Sequence, residues 1–120
     1  MMQEEKDLLL KDLCARLPYD VIVECSIECG ESIDLILSTS HIDELVNNSL
    51  IVKPYLRPMS SMTDKEEIEY MDIQHHSHYG NPSAQSAYTL DWLNAHHFDC
   101  HSLIPMGLAL EAPKDMYKFE

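Results

Sequence analysis

The chain has 120 residues, 45% of them hydrophobic, and a formal net charge of -13. That length suits a single domain, residues 1–120, built on one core. The charge argues against direct binding to nucleic acids or acidic lipid surfaces, and no apolar run approaches the ~20 residues of a bilayer span. The start, Met1-Met2-Gln3-Glu4-Glu5-Lys6, carries no basic-then-apolar leader, so no signal peptide and a cytoplasmic location are expected. Cys14, Cys25, Cys29 and Cys100 then default to reduced thiols with packing roles.

Residues Gln3 to Leu17 read as a helix. Leu10, Leu13, Cys14 and Leu17 recur at i, i+3, i+4 and i+7, which leaves Lys6, Asp7, Lys11, Asp12 and Arg16 for the wet side. Pro18 stops it. Val21 to Cys29 alternates with period two and reads as a half-buried strand, with odd positions inward. Ile33, Leu35 and Leu37 continue as a second strand after a turn at Gly30-Glu31-Ser32, pairing Cys29 with Ile33 and Ile27 with Leu35. Ser38 to Asn48 suits either a helical turn capped by Ser40 or a loop. Leu50-Ile51-Val52 is a short third strand, and Lys53 to Pro58 a rigid extended connector.

Thr63-Asp64-Lys65-Glu66 is a capping box, so a helix is predicted from Asp64 to about Ile73, burying Ile68 and Met71. Gly80-Asn81-Pro82 breaks the chain, and Ser83 or Ser86 caps a last helix through Trp92 to His97. The weakly charged run Ser102 to Leu110 follows. It reads as core, with an exposed apolar partner surface at Leu103, Met106 and Leu108 as the alternative.

Three stretches carry a resemblance: Leu8 to Tyr19, Val52 to Thr63, and Asp91 to Asp99 with the run to Pro113. Together they resemble a family of short, uncharacterised acidic proteins from gut bacteria and their integrated phages. The resemblance implies a provenance, and a β-rich middle between an N-terminal helix and these C-terminal segments. It implies no activity.

Histidine is the strongest chemical signal. His75, His76, His78, His96, His97 and His101 lie close in sequence to Cys100, and no Lys or Arg occurs from Glu66 to Pro113. If the last helix continues past His97, then His97 and His101, or His96 and Cys100, stand four apart on one face. Zinc takes neutral imidazole and thiolate, and such pairs supply two ligands. The spacing matches no established zinc pattern, and solvent-exposed loop histidines are the plainer reading. Clustered imidazoles among carboxylates also make the chain's charge sensitive between pH 5 and 8. No nucleophile–base signature surrounds any cysteine, and the three glycines form no phosphate loop, so no catalytic constellation is found.

The expected fold is α+β: a small antiparallel sheet over about residues 21–52, with an N-terminal helix and two C-terminal helices packed on it. The expected core is Leu10, Leu13, Leu17, Val21, Val23, Ile27, Leu35, Leu37, Ile51, Ile68, Trp92, Leu93, Phe98, Ile104 and Leu108. The expected function is a non-enzymatic acidic interaction module, such as a prophage or mobile-element accessory protein, with a partner more basic than acidic. One alternative is a metal-binding protein using the His75–His101 cluster, with zinc as the candidate ion. Another is an acidic mimic of nucleic acid that inhibits a DNA- or RNA-binding protein.

Overall fold

The computed structural model describes residues 3–26, 30–47, 50–75, 82–113 and 116–117, with the backbone alone at 74–75 and 82–87. Helix α1 (Gln3–Arg16) leads into strands β1 (Ile22–Ser26) and β2 (Ser32–Ile36), helix α2 (Thr39–Val46) and strand β3 (Ile51–Leu56). Helices α3 (Asp64–His75) and α4 (Pro82–Ala95) follow, and a two-residue strand β4 (Leu110–Glu111) comes last. The sheet runs β2-β1-β3-β4; β1 is antiparallel to both of its neighbours, and β3 is parallel to β4. The class is α+β, as the sequence predicts, and the sheet is mixed because the tail returns to add a fourth strand. Among the described residues no helix is long and apolar enough to cross a membrane.

Helix α1 has the predicted period with its phase moved by one residue. Leu9, Asp12, Leu13 and Arg16 face inward, while Cys14 is exposed. Leu10 and Leu17 are half-buried at the rim of the core. Asp12 and Arg16 are not on the wet side; both are completely buried. Burial of two charges on one helix stripe is tolerable because they pair with each other and find further partners in the tail.

The β1–β2 register differs from expectation by four positions. Ile33 lies opposite Cys25 and Leu35 opposite Val23, and Ser26–Ser32 closes the ladder. The expected partners Ile27 and Cys29 lie outside the described residues. Slipping by four keeps odd positions on the same face, so the alternation is preserved. The open end fixes the choice: the Leu37 amide donates to Val21 O at 2.9 Å, which delivers Leu37 into the core. β2 itself overhangs that core. Leu35, expected inside, is 39% exposed, and Ile33 is 58% exposed.

The segment read as a connector is the middle of the sheet. Val52, Pro54 and Leu56 point into the core and Ile51, expected there, points out. Proline is unusual in an interior strand because it cannot donate to the ladder. Leu56 accepts from the Ala112 amide on the β4 side. Pro54, two residues earlier, turns its nitrogen to that same side, ahead of where β4 begins, so no ladder bond is lost. Ser38, not Ser40, starts α2, where its amide donates to His41 Nδ1 at 3.1 Å.

The capping box of α3 forms as read: Glu66 Oε1 accepts from the Thr63 amide at 2.9 Å, and Thr63 Oγ1 accepts from the Glu66 amide at 3.2 Å. Its inward residue is Glu66, locked to Arg57 by two bonds of 2.6 and 2.7 Å. Ile68 is two positions on and therefore on the opposite face. It is 70% exposed, and Met71 is exposed beside it. Tyr70 instead stacks on Trp92, a half-buried residue that also lies against His96 and Phe98.

Helix α4 stops at Ala95. The Phe98 amide donates to Leu93 O and the His97 amide to Asn94 O, with His97 left-handed at φ 62°. This is a Schellman stop with histidine where glycine is usual, closed by the buried pair Leu93 and Phe98. The tail then folds back. The Asp99 carboxylate accepts from the amides of Leu103 (2.7 Å) and Ile104 (3.0 Å). A second stop at Gly107, φ 77°, turns Leu108 and Ala109 into the core beside Leu103. Ile104 is half-buried. The Tyr117 hydroxyl accepts from the Ile22 amide and donates to Tyr55 O, both at 2.8 Å, bridging β1 and β3.

Candidate functional site

Two places on this frame carry chemistry beyond packing. The first is a polar centre where α1 meets the turn after α4. Arg16 Nε donates to Asp12 Oδ1 at 2.5 Å, and Nη2 donates to Asp12 Oδ2 at 3.2 Å and to Phe98 O at 2.6 Å. The Cys100 thiol sits 3.7 Å from the same Nη2. His101 Nδ1 lies 2.7 Å from Asp12 Oδ2 and 3.6 Å from Cys100 Sγ. The Schellman stop at His97 and a left-handed Ser102, φ 58°, bend the chain so that Cys100 and His101 both turn towards α1. Asp12, Cys100 and His101 thereby bring one oxygen, one sulfur and one nitrogen within 4.8 Å of one another.

This set is not arranged as a catalytic relay. A thiol–imidazole–carboxylate relay engages the thiol and the carboxylate at different ring nitrogens, so that a proton can cross the ring. Here both address Nδ1. Burial pushes the Cys100 thiol up from its ordinary value, and the Asp12 and Asp99 charges push it the same way against the lowering effect of Arg16. A thiol held protonated is a poor nucleophile.

Of the other histidines considered as ligands, His96 and His97 do not join the centre. His96 stacks on Trp92 at 4.2 Å with Nδ1 2.9 Å from Trp92 O. His97 is buried against the Tyr117 ring at 3.9 Å. Burial, then the charges of Arg16 and Arg57, pull its imidazole down to about 4. His76 and His78 lie outside the described residues, as does the His75 side chain. Asp12 is the ligand-type residue that sequence reading passed over. The available signal is its i, i+4 spacing from Arg16; both residues read as wet-side charge. Of the apolar partner surface, Leu103 and Leu108 are core residues and Met106 alone is exposed.

The second place is the outer edge of β2. All five of its residues are exposed, with Ile33 at 58% and Ile36 at 59%, and among the described residues its outer edge pairs with no strand. Two carboxylates lie on one of its faces. Asp34 sits beside Glu24 in register, and both carboxylates reach the Tyr55 hydroxyl, at 2.9 and 3.4 Å. Burial first, then Asp34 and Glu24, push the Tyr55 hydroxyl up to about 12. A cleft of about 180 Å³ between Arg57, Lys65, Glu66, His96 and Tyr117 is smaller than ligand pockets of ~300 Å³ and above, and its Arg57 is committed to Glu66. Comparison with protein-family models, curated proteins and solved structures finds no match to this chain.

Proposed function

We propose that the protein is a non-enzymatic interaction module that receives a basic, extended segment of a partner protein along the outer edge of β2. The observation that carries this reading is the exposure of Ile33, Leu35 and Ile36 on an edge strand flanked by Asp34 and Glu24. Edge strands are ordinarily blunted by lysine, proline or a bulge, because unpaired backbone groups invite another chain. This one carries a carboxylate at its centre and no lysine. An added strand gains main-chain hydrogen bonds from the edge, and its alternate side chains find apolar contacts on one face and carboxylates on the other. The net charge of -13 selects for a basic segment and speeds its arrival. The reading includes a cytoplasmic setting, where thiols such as Cys14, Cys25 and Cys100 stay reduced.

Titration of the isotopically labelled chain with a synthetic peptide of alternating lysine and valine tests the proposal. Amide shifts are expected at 32–36 and in the facing β1. Affinity should fall steeply with salt, and by about tenfold or more in Asp34→Lys. A glutamate–valine peptide that binds equally well refutes the proposal. So does a β2 edge already closed by a second copy of the chain, seen as a dimer in sedimentation.

A further inference from the structure

We propose that Asp12, Cys100 and His101 form a three-ligand site for a divalent ion of the zinc class, with the fourth position open to water. The donor set is the first argument. Thiolate, imidazole and carboxylate together suit a borderline-soft ion and do not suit calcium or magnesium.

Geometry is the second argument. With bonds of ~2.0 Å to nitrogen and ~2.3 Å to sulfur, a tetrahedral ion separates those two donors by about 3.5 Å. Cys100 Sγ and His101 Nδ1 are 3.6 Å apart. The nitrogen–oxygen separation for the same ion is about 3.3 Å. Asp12 Oδ2 and Nδ1 stand at 2.7 Å, the spacing of a hydrogen bond. A small swing of His101, whose side chain is 28% exposed, opens it to the ion. That exposure, with the half-buried Cys100, also supplies the entry path.

Support from the surroundings is the third argument. Asp12 comes from α1, and the adjacent Cys100 and His101 from a turn 88 residues later, so the fold and not one local segment brings the three together. Arg16 fixes both parts, gripping both Asp12 oxygens and the Phe98 carbonyl. Carboxylates that bind a metal are ordinarily held by outer hydrogen bonds of this kind. Arg16 is completely buried, and its Nη1 has no hydrogen-bond partner among the described residues. Its Nη2 faces Cys100 across 3.7 Å. A neutral thiol is a weak acceptor for such a group, whereas a metal-bound thiolate is a strong one. On binding, the Cys100 proton leaves to solvent and the ion takes its place. The charges of Asp12 and the thiolate then offset Arg16 and one of the two charges on the ion.

The test is a cobalt(II) titration of the reduced, metal-free full chain, followed by absorption. Expected are visible bands of tetrahedral cobalt and a thiolate-to-cobalt band, both saturating at one equivalent and reversed by zinc. Cys100→Ser should abolish the thiolate band, and His101→Ala should weaken binding at least tenfold, with circular dichroism confirming that each variant is folded. His76→Gln/His78→Gln should leave the titration unchanged. Absence of the thiolate band in the native chain overturns the proposal. Its survival in Cys100→Ser, or its loss in the His76/His78 variant, does so as well. None of these outcomes bears on the β2 edge.

Discussion

Lowering the pH should destabilise this protein through His97. The imidazole is 5% exposed, stacked on Tyr117, and close to the guanidinium groups of Arg16 and Arg57 and to His96. Burial and those charges bring it from 6.5 down to about 4. The folded chain therefore keeps a neutral ring where the unfolded chain takes up a proton. The stabilisation is complete above the unfolded value and is lost as pH falls from about 6.5 towards about 4. At ~1.36 kcal/mol per unit, the full loss is roughly 3 kcal/mol, a large part of the ~5–15 kcal/mol of a typical domain. The comparison is His97→Asn, because asparagine accepts the left-handed backbone and does not titrate. Urea unfolding at intervals between about pH 7.5 and 4.5 measures both chains. The native chain should show a steeper fall by up to ~1.4 kcal/mol per unit. Equal slopes refute the reasoning.

Three further outcomes test the account of the core. Asp12→Ala strands the completely buried Arg16 and should cost about 3–5 kcal/mol in urea unfolding, while Asp12→Leu combined with Arg16→Met should recover much of it. Ile68→Glu and Met71→Lys should each change stability by no more than about 0.5 kcal/mol, because both side chains face solvent, whereas Phe98→Ala should cost about 3–5 kcal/mol. Glu66 should matter most in acid. Burial raises its carboxyl, but the Arg57 bonds, the Thr63 amide and the guanidinium charge outweigh that and hold it at about 2. Its contribution is present above about 4.5 and disappears as pH falls towards about 2, so the stability difference between the native chain and Glu66→Gln should shrink over that interval.

Local rules were legible in the sequence. The Thr63–Glu66 capping box, the inward odd positions of β1 and the helix ahead of Pro18 depend on residues a few places apart. What escaped depends on residues far apart. Asp12 and Arg16 read as wet because nothing nearby shows that Phe98 O and His101 will meet them. Pro54 reads as a spacer because β4, which leaves its nitrogen unchallenged, is two residues with no pattern of their own. Ile68 reads as buried because the inward place belongs to Glu66, whose partner Arg57 lies in another element. The candidate metal centre is half visible in the sequence: Cys100 and His101 stand out beside the other histidines, and the carboxylate completing the set reads as solvated charge.

The bond from Arg16 to Phe98 O spans 82 positions. A growing polypeptide leaving the ribosome exposes the first helix long before its guanidinium can settle. Until Phe98 has emerged, the buried Arg16 lacks that partner, and chaperones have a long interval in which to hold the helix. Docking of α1 therefore waits on the tail, and stalled nascent chains ending before Phe98 should leave that helix open to protease.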